Sequence, residues 1–585
     1  MTTRKKTATP PQTEETPTQR LDRLTHATIA PLTGGLSPVS LALAMADWGW
    51  HLGVSPGRQL ELAALAAQLA KDTLLADGKV PDDAGTADDD PRFRHEAWAQ
   101  WPFSQLRTGF RNTEAFWREA ARVPGMTTHH VDMTQFFARQ WLGMMAPANW
   151  LPTNPVVLKD VVESKGRHLM AGAQNWLRDV TGIHTPEELA QTDHFRFGQD
   201  VAVTPGKVVF RNRLIELIRY DAQTSKVHPE PVLIIPSWIM KYYILDLSPH
   251  NSMVRYLVEQ GHTVYMVSWR NPDASDHDLT MDDYLHMGVI DALHAVGALS
   301  GTRHGVHAMG YCLGGTLLAI AAALGRRGGM SEYSHMPTVR TLTLLAAQTD
   351  FSEPGELGLF IDESQVGFLD NITRGKGYLT GEQMAGSFQF LHSRDLLWTR
   401  RMREYLMGER EQPNDLMAWN ADTTRMPARM HHEYLTSLYL HNALANGTYR
   451  VRGRAVSLGD IHMPVFLVGT QRDHVSPWPS VYKLHHLCDA EITFVLTSGG
   501  HNAGIVSEPG HPKRSYQIET RPEHGSWVDH TQWAAQAPSH EGSWWTAWHA
   551  WLAAHSGHKV TPPKLAASAV LCNAPGEYVM QRYTD

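Results

Sequence analysis

The chain has 585 residues, enough for two domains or one large domain with an extension, and a formal charge of −8. Its lysines and arginines are scattered rather than gathered into a stripe, which argues against a nucleic-acid-binding surface. Three cysteines without C-x-x-C or finger spacing exclude a disulfide framework and structural zinc, and the 33 histidines occur mostly singly or as surface pairs, so a reducing compartment and no metal site are expected.

Residues 1–20 are charged and rich in Thr, Pro and Glu, with no apolar centre, so they read as a disordered tail and not as a signal peptide. Residues 36–51 and 59–71 repeat apolar side chains at helical spacing, and each is expected to be an amphipathic helix. A polar, aspartate-rich linker covers 78–91. Beyond it Phe93, Trp98, Trp101, Phe103 and Phe110 mark more helix, continued over 136–145 and 158–178. Strand-like alternation is scarce before residue 200, so 21–200 is expected to form an all-helical N-terminal domain. Trp48, Trp50, Trp98 and Trp101 fit either ordinary core packing or an apolar partner surface. No uninterrupted apolar run approaches the ~20 residues of a membrane-spanning helix, so no transmembrane segment is expected and attachment to a surface would be peripheral.

The pattern changes at Lys207. Short apolar runs at 208–210, 214–218, 232–236, 263–268, 305–309, 341–346, 465–468 and 492–496 suit buried strands, with helical stretches such as 251–259 and 282–299 between them. This alternation predicts an α/β domain over 201–560, a mostly parallel sheet with helices on both faces, followed by a C-terminal tail over 561–585. Residues 350–450 interrupt the strands with helix-like segments at 381–391, 397–407 and 429–445. A helical insertion there is a natural lid.

The chemistry concentrates at Gly310-Tyr311-Cys312-Leu313-Gly314-Gly315, where a strand runs through a tight turn into an apolar helix. The spacing G-x-nucleophile-x-G is that of a nucleophile elbow, with cysteine in the place of the usual serine. Glycines suit such a corner because the nucleophile takes a strained backbone and strand and helix must approach closely. A thiol over a helix N-terminus is favoured as thiolate, whereas Cys488 and Cys572 read as ordinary small hydrophobes. Acid and base are expected past later strands, at their carboxyl ends. The run 465–468 leads to Asp473 and the run 492–496 to His501, and the order nucleophile, acid, base is that of α/β-hydrolases. Together they make a triad, with Leu313 N–H and a second N–H after the run 232–236, near Trp238 or Ile239, as oxyanion donors and His474 as a supporting group.

The sequence resembles the polyhydroxyalkanoate synthases, class I above all. The resemblance rests on Gly310 to Gly315, on Pro236-Ser237-Trp238 and the residues after it, on Val267-Ser268-Trp269-Arg270-Asn271-Pro272, on Asp473-His474-Val475-Ser476-Pro477-Trp478, on Ser498-Gly499-Gly500-His501 and on Gly542-Ser543-Trp544-Trp545. It extends to Asp90-Pro91-Arg92-Phe93 and Asn154-Pro155, and the segment 24–61 looks like an N-terminal extension that some members carry. It implies an α/β-hydrolase fold behind the helical domain, and polymerisation of (R)-3-hydroxyacyl-CoA, 3-hydroxybutyryl-CoA first, with release of CoA. In that reading Cys312 carries the chain as a thioester, His501 is the base, and Asp473 either orients His501 or helps to activate the monomer hydroxyl. The CoA thioester is substrate and no cofactor is implied. The implied partners are the polyester granule surface and a second copy of the chain, and the implied location is the cytoplasm at the granule. Two rivals are a thioesterase or polyester hydrolase of the same fold, which the elbow cysteine disfavours, and a catalytically idle granule-coat protein.

Overall fold

Each of the eight apolar runs becomes a strand of one sheet in the computed structural model, which describes residues 16–31, 33–76, 90–181, 195–301, 304–325, 336–384, 386, 397–410 and 412–582. In chain order these strands are β1 (Gly206–Arg211), β2 (Ile215–Tyr220), β3 (Val232–Ile235), β4 (Val264–Trp269), β5 (Val306–Tyr311), β6 (Val339–Leu345), β7 (Val465–Thr470) and β8 (Ile492–Thr497). Three more, β9 (Ser515–Arg521), β10 (Ser539–Glu541) and β11 (Cys572–Asn573), complete an 11-stranded sheet of order β10-β9-β8-β7-β6-β5-β3-β4-β2-β1-β11. The six strands from β4 to β8 in that order run parallel, while β2 against β4 and β9 against β8 are antiparallel. Strands β3, β4, β5, β7 and β8 are buried at every position, as strands covered by helices on both faces must be.

Register levels the carboxyl ends. Gly310 in β5 faces Ile235 in β3 and Leu344 in β6, and Val468 in β7 faces Leu345 in β6 and Val495 in β8. The turns after β3, β5, β7 and β8 therefore open on the same edge of the sheet, where ligands of open α/β sheets bind.

Ahead of the sheet lie helices Pro17–Ile29, Pro38–Gly53, Pro56–Leu74, Phe103–Ala120, Thr128–Met145, Pro155–Glu163 and Arg167–Thr181. Two details differ from the sequence reading. The first helix starts inside the stretch read as tail, because Thr16 and Gln19 form a reciprocal capping box ahead of Pro17. The expected helix 158–178 is two, broken where Lys165 and Gly166 take positive φ of 56° and 76°. The tryptophans divide: Trp98 is buried against Phe93 and Phe103, Trp48 donates its indole N–H to the Ala120 carbonyl at 2.9 Å, and Trp50 and Trp101 are 76% and 79% exposed. Residues 1–15 of the expected tail, most of the expected linker and most of the expected helix 381–391 lie outside the described residues. Among the described residues no helix is long and apolar enough to cross a membrane.

Between β6 and β7 the chain inserts helices Glu363–Lys376, Asp415–Ala421 and Ala428–Tyr434 and a two-stranded ribbon of Tyr378–Leu379 with Met426–Pro427. The C-terminal residues return to the far edge of the sheet. There the Glu216 carboxylate, fully buried on β2, pairs with Arg211 at 2.5 Å and accepts the backbone N–H groups of Glu577 and Tyr578 at 3.0 Å each. A buried carboxylate that loses such donors is strongly destabilising. Ending the chain after Val570 removes both donors and β11, and is expected to lower stability by about 3–5 kcal/mol in urea unfolding. A loss below about 1 kcal/mol would mean that Arg211 alone satisfies Glu216.

Candidate active site

At the end of β5 the backbone of Cys312 takes φ 52°, the left-handed region that a side chain rarely occupies. Hydrogen bonds on both sides hold it there: Cys312 N–H donates to the Leu345 carbonyl at 2.9 Å, and the Cys312 carbonyl accepts from Gly315 N–H at 2.9 Å to open the helix Leu313–Gly325. The flanking glycines are required by space. A Cβ on Gly314 would lie 2.3 Å from the carbonyl oxygens of both Ile235 and Pro236, and one on Gly310 would lie 2.3 Å from Gly315 Cα. Strand, turn, helix and the loop after β3 are in backbone contact, and the thiol is almost buried among them.

Two neighbouring strand ends complete the arrangement. His501, after β8, has its Nδ1 2.9 and 3.1 Å from the two carboxylate oxygens of Asp473, after β7. The carboxylate is wholly buried and also accepts from Val475 N–H at 3.0 Å, Ser476 N–H at 2.8 Å and the Thr470 hydroxyl at 3.0 Å. Burial alone would raise the Asp473 pKa, yet the charge on His501, its hydrogen bond and the Ser476 and Thr470 donors outweigh it and hold the carboxyl below its ordinary value. His501 shows the mirror image. Burial works to lower its pKa, but the Asp473 charge, then the charge of Cys312 and hydrogen bonds to both, carry it well above 6.5. Imidazole thus bridges carboxylate and thiol. His474 follows Asp473 on the exposed side of the loop, and the carboxylate's described partners are Thr470, Val475, Ser476 and His501.

The loop after β3 is held from two directions. From the insertion, Thr424 donates its hydroxyl to the Trp238 carbonyl at 2.6 Å and its N–H to the Ile239 carbonyl at 3.2 Å, and the Trp419 indole donates to the Lys241 carbonyl at 2.8 Å. From the C-terminus, the carbonyls of Tyr578, at 3.3 Å, and Gln581 accept from the buried Lys241 ammonium. Leu313, whose N–H belongs to the free first turn of its helix, and Ile239 both line a cavity of about 700 Å³ that runs beneath the insertion. Tyr434 lines it too, and donates its hydroxyl to that of Tyr439 at 3.0 Å. Burial raises both phenols, with Cys312 among the smaller causes, so both stay protonated near the thiol.

An elbow, an acid and a base on one fold do not by themselves separate hydrolysis from acyl transfer; the comparisons do. Residues 89–257 match the family described as "Poly-beta-hydroxybutyrate polymerase (PhaC) N-terminus", 16–58 match "Poly-beta-hydroxybutyrate polymerase N terminal", and 230–508 match the "alpha/beta hydrolase fold". A relative from Cupriavidus necator, named poly(3-hydroxyalkanoate) polymerase subunit PhaC, is 38% identical over 84% of this chain and 83% of its own. The poly(3-hydroxyalkanoate) polymerase of Methylorubrum extorquens is 37% identical over 84% of this chain and 81% of its own. The chain belongs to the poly(3-hydroxyalkanoate) polymerases. It is an acyltransferase enzyme on an α/β-hydrolase fold.

In this polymerase the structure brings Cys312, Asp473 and His501 together and puts Leu313 and Ile239 beside the same cavity. Sequence reasoning missed the groups that brace them. The Tyr311 hydroxyl donates to Asn502 at 2.6 Å, and Asn502 donates to Asn420 of the insertion at 3.3 Å, so elbow, base loop and insertion share one chain of bonds. Tyr311 was legible as an elbow neighbour, whereas nothing in the order of residues points from Asn502 to Asn420. Because the Asp473 charge is the largest cause raising His501, Asp473→Asn is expected to let burial prevail. The histidine midpoint followed by NMR should fall from well above 6.5 to below it. An unshifted midpoint would show that another group sets the His501 charge.

Proposed function

We propose that this polymerase carries its growing chain on Cys312 as a thioester and takes (R)-3-hydroxyacyl-CoA, 3-hydroxybutyryl-CoA first, as monomer. The observation that carries the reading is the continuous line from Asp473 through His501 to a thiol held at a left-handed elbow. His501 takes the thiol proton. The thiolate attacks the thioester carbonyl, and the oxyanion lies toward the N–H groups of Leu313 and Ile239. Collapse breaks the carbon–sulfur bond to CoA, which leaves with the proton from His501, and the acyl group stays on Cys312. In elongation a 3-hydroxyl loses its proton to His501 and attacks an acyl-enzyme carbonyl. The ester forms as the carbon–sulfur bond to Cys312 breaks and the thiol takes the proton back from His501, and the lengthened chain, now a CoA thioester, returns to Cys312 by the first step with release of CoA.

Association with the polyester surface is part of the same reading. Of the exposed large hydrophobic side chains among the described residues, all but Trp527, Val560, Leu571 and Met580 precede residue 182. They include Trp50, Trp101, Trp141, Trp150 and Trp176, aromatic side chains that suit contact with an apolar polyester. Cytoplasmic location at the granule follows from that contact.

Incubation with 3-hydroxybutyryl-CoA decides between reactions: CoA release with turbidity means polymerisation, CoA release with free hydroxyacid means hydrolysis, and no release means neither. Cys312→Ala should reduce CoA release by at least about 10³-fold without changing the melting temperature, and appreciable residual polymer would overturn the nucleophile. Asp473→Asn separates two roles of the carboxylate. If Asp473 mainly helps to activate the hydroxyl, a rapid quench should show a burst of about one CoA per site and a mass gain of one acyl group, followed by a stall. Loss of the burst as well would leave Asp473 as the orienter of His501.

A further inference from the structure

The cavity of about 700 Å³ is lined in part by the N-terminal segment: Ala27 and Ala30 at the end of the first helix, and Gly34 to Leu36 after it, line it together with Leu313 and Ile239. That segment is clipped to the inserted helix Glu363–Lys376. The Gln365 side chain, buried, accepts Ser37 N–H at 2.5 Å and donates to the Gly35 carbonyl at 2.9 Å. The Ser40 hydroxyl donates to Asp362 at 2.9 Å, and that carboxylate caps the same helix by accepting Gln365 N–H at 2.8 Å. His26 bonds Asn371 at 2.9 Å and packs its ring on Phe368 at 5.1 Å. Arm and insertion are thus one wall.

We propose that this chamber receives the growing polyester, so that the chain attached at Cys312 runs beneath the N-terminal arm and the arm fixes how much of it the enzyme encloses. The inference rests on the acyl-transfer reading above. Three features select this occupant over the nucleotide part of CoA. The chamber reaches the residue after the nucleophile, so a chain that places its carbonyl oxygen toward Leu313 N–H leads into it. Its walls are mostly apolar, with Leu36, Ile239, Leu313, Phe360, Ile372 and Met426 among them, which suits ester and alkyl groups that have no hydrogen-bond donor of their own. Its charged residues are Arg23, Lys376 and Glu382, while His431 on the wall is held neutral with its pKa near 4 by burial, so the net cationic excess is too small for the phosphates of CoA. The volume falls within the ~300–1,000 Å³ of small-molecule pockets, which is the size of a short run of chain and not of a polymer coil.

The test uses the full chain with 3-hydroxybutyryl-CoA. Ala27→Trp from the arm and Ile372→Trp from the insertion each add bulk toward the chamber at positions that are not fully buried. Both are expected to lower elongation at least tenfold, and to shorten the product, while the first burst of CoA falls less than twofold. Thr25→Trp, at an exposed position of the same arm helix that does not line the chamber, should keep both rates. Elongation within twofold of the parent in both chamber variants, with native melting temperatures, would overturn the proposal. So would a raised KM with normal product length, which would give the chamber to the incoming CoA thioester. Failure of the underlying reading shows itself separately, as no CoA release by the parent.

Discussion

The structure depends most on one backbone conformation, the left-handed turn at Cys312. A side chain in that region costs on the order of 1–3 kcal/mol, so the surroundings must over-determine it. Two kinds of contact do so. The hydrogen bond from Cys312 N–H to Leu345 ties the turn to β6, and contact of Gly314 with the carbonyls of Ile235 and Pro236 ties it to β3. Because β3 and β6 flank the elbow on the two sides of the sheet, the thiol cannot shift without shearing both strand pairs. The loop that carries Ile239 leaves β3 next to the same carbonyls. Nucleophile and oxyanion loop are therefore set by a single packing event.

Burial turns that rigidity into charge. Two aspartates beyond strand ends have fully buried carboxylates, and their pKa values move in opposite directions. Asp246 is hydrogen-bonded by Thr204 and Ser252, neutral donors that do not offset desolvation, and its pKa rises. Asp473 has similar neutral donors plus an imidazole that can hold a proton, and its pKa falls. The difference is His501, a partner that carries charge. Removing the histidine would leave Asp473 in the situation of Asp246, so the acid and base are stable as ions only as a pair. An interaction with Cys312 at the other end of the imidazole acts in the same direction, which is why the His501 pKa lies well above its ordinary value although burial opposes it.

Much of this was legible in the order of residues, and the reasons for the rest are physical. Buried parallel strands are continuous apolar runs, so β3 to β8 announce themselves, as do the apolar runs of the antiparallel β1 and β2, and the turns after β7 and β8 stand at strand ends where function collects. The strands β9, β10 and β11 did not announce themselves. Strand β9 reads Ser515 to Arg521 with few apolar residues, β10 is exposed throughout, and β11 has two residues; their stability comes from ladder partners supplied elsewhere in the chain. Only the first turn of the first helix, residues 17–20, falls in the stretch that reads as tail, because its composition is polar, and a cap at Thr16 outweighs composition locally. The triad residues could be named because motif and strand order converge. The braces could not, since Asn502 with Asn420, Thr424 with Trp238, and Lys241 with Tyr578 join residues that share no spacing.

Those braces explain why the site needs so long a chain. The loop carrying Ile239 runs from β3 to a short 3-10 helix at Tyr242–Asp246 and makes one bridge, between Met240 and Thr423, so its carbonyls at Trp238, Ile239 and Lys241 find donors elsewhere in the chain. Thr424 and Trp419 of the insertion provide them, and the Lys241 side chain is satisfied by carbonyls near the C-terminus. Meanwhile Arg425 N–H is held by Asn271, and Asn271 reaches the Arg582 carbonyl, so insertion and C-terminus are also tied to each other past the end of β4. A loop pinned from two distant segments, which are themselves joined through Asn271, is positioned by tertiary contact. The oxyanion side of the site thus rests on the docking of insertion and C-terminus, beside a nucleophile turn held by hydrogen bonds and backbone contact with the neighbouring strands.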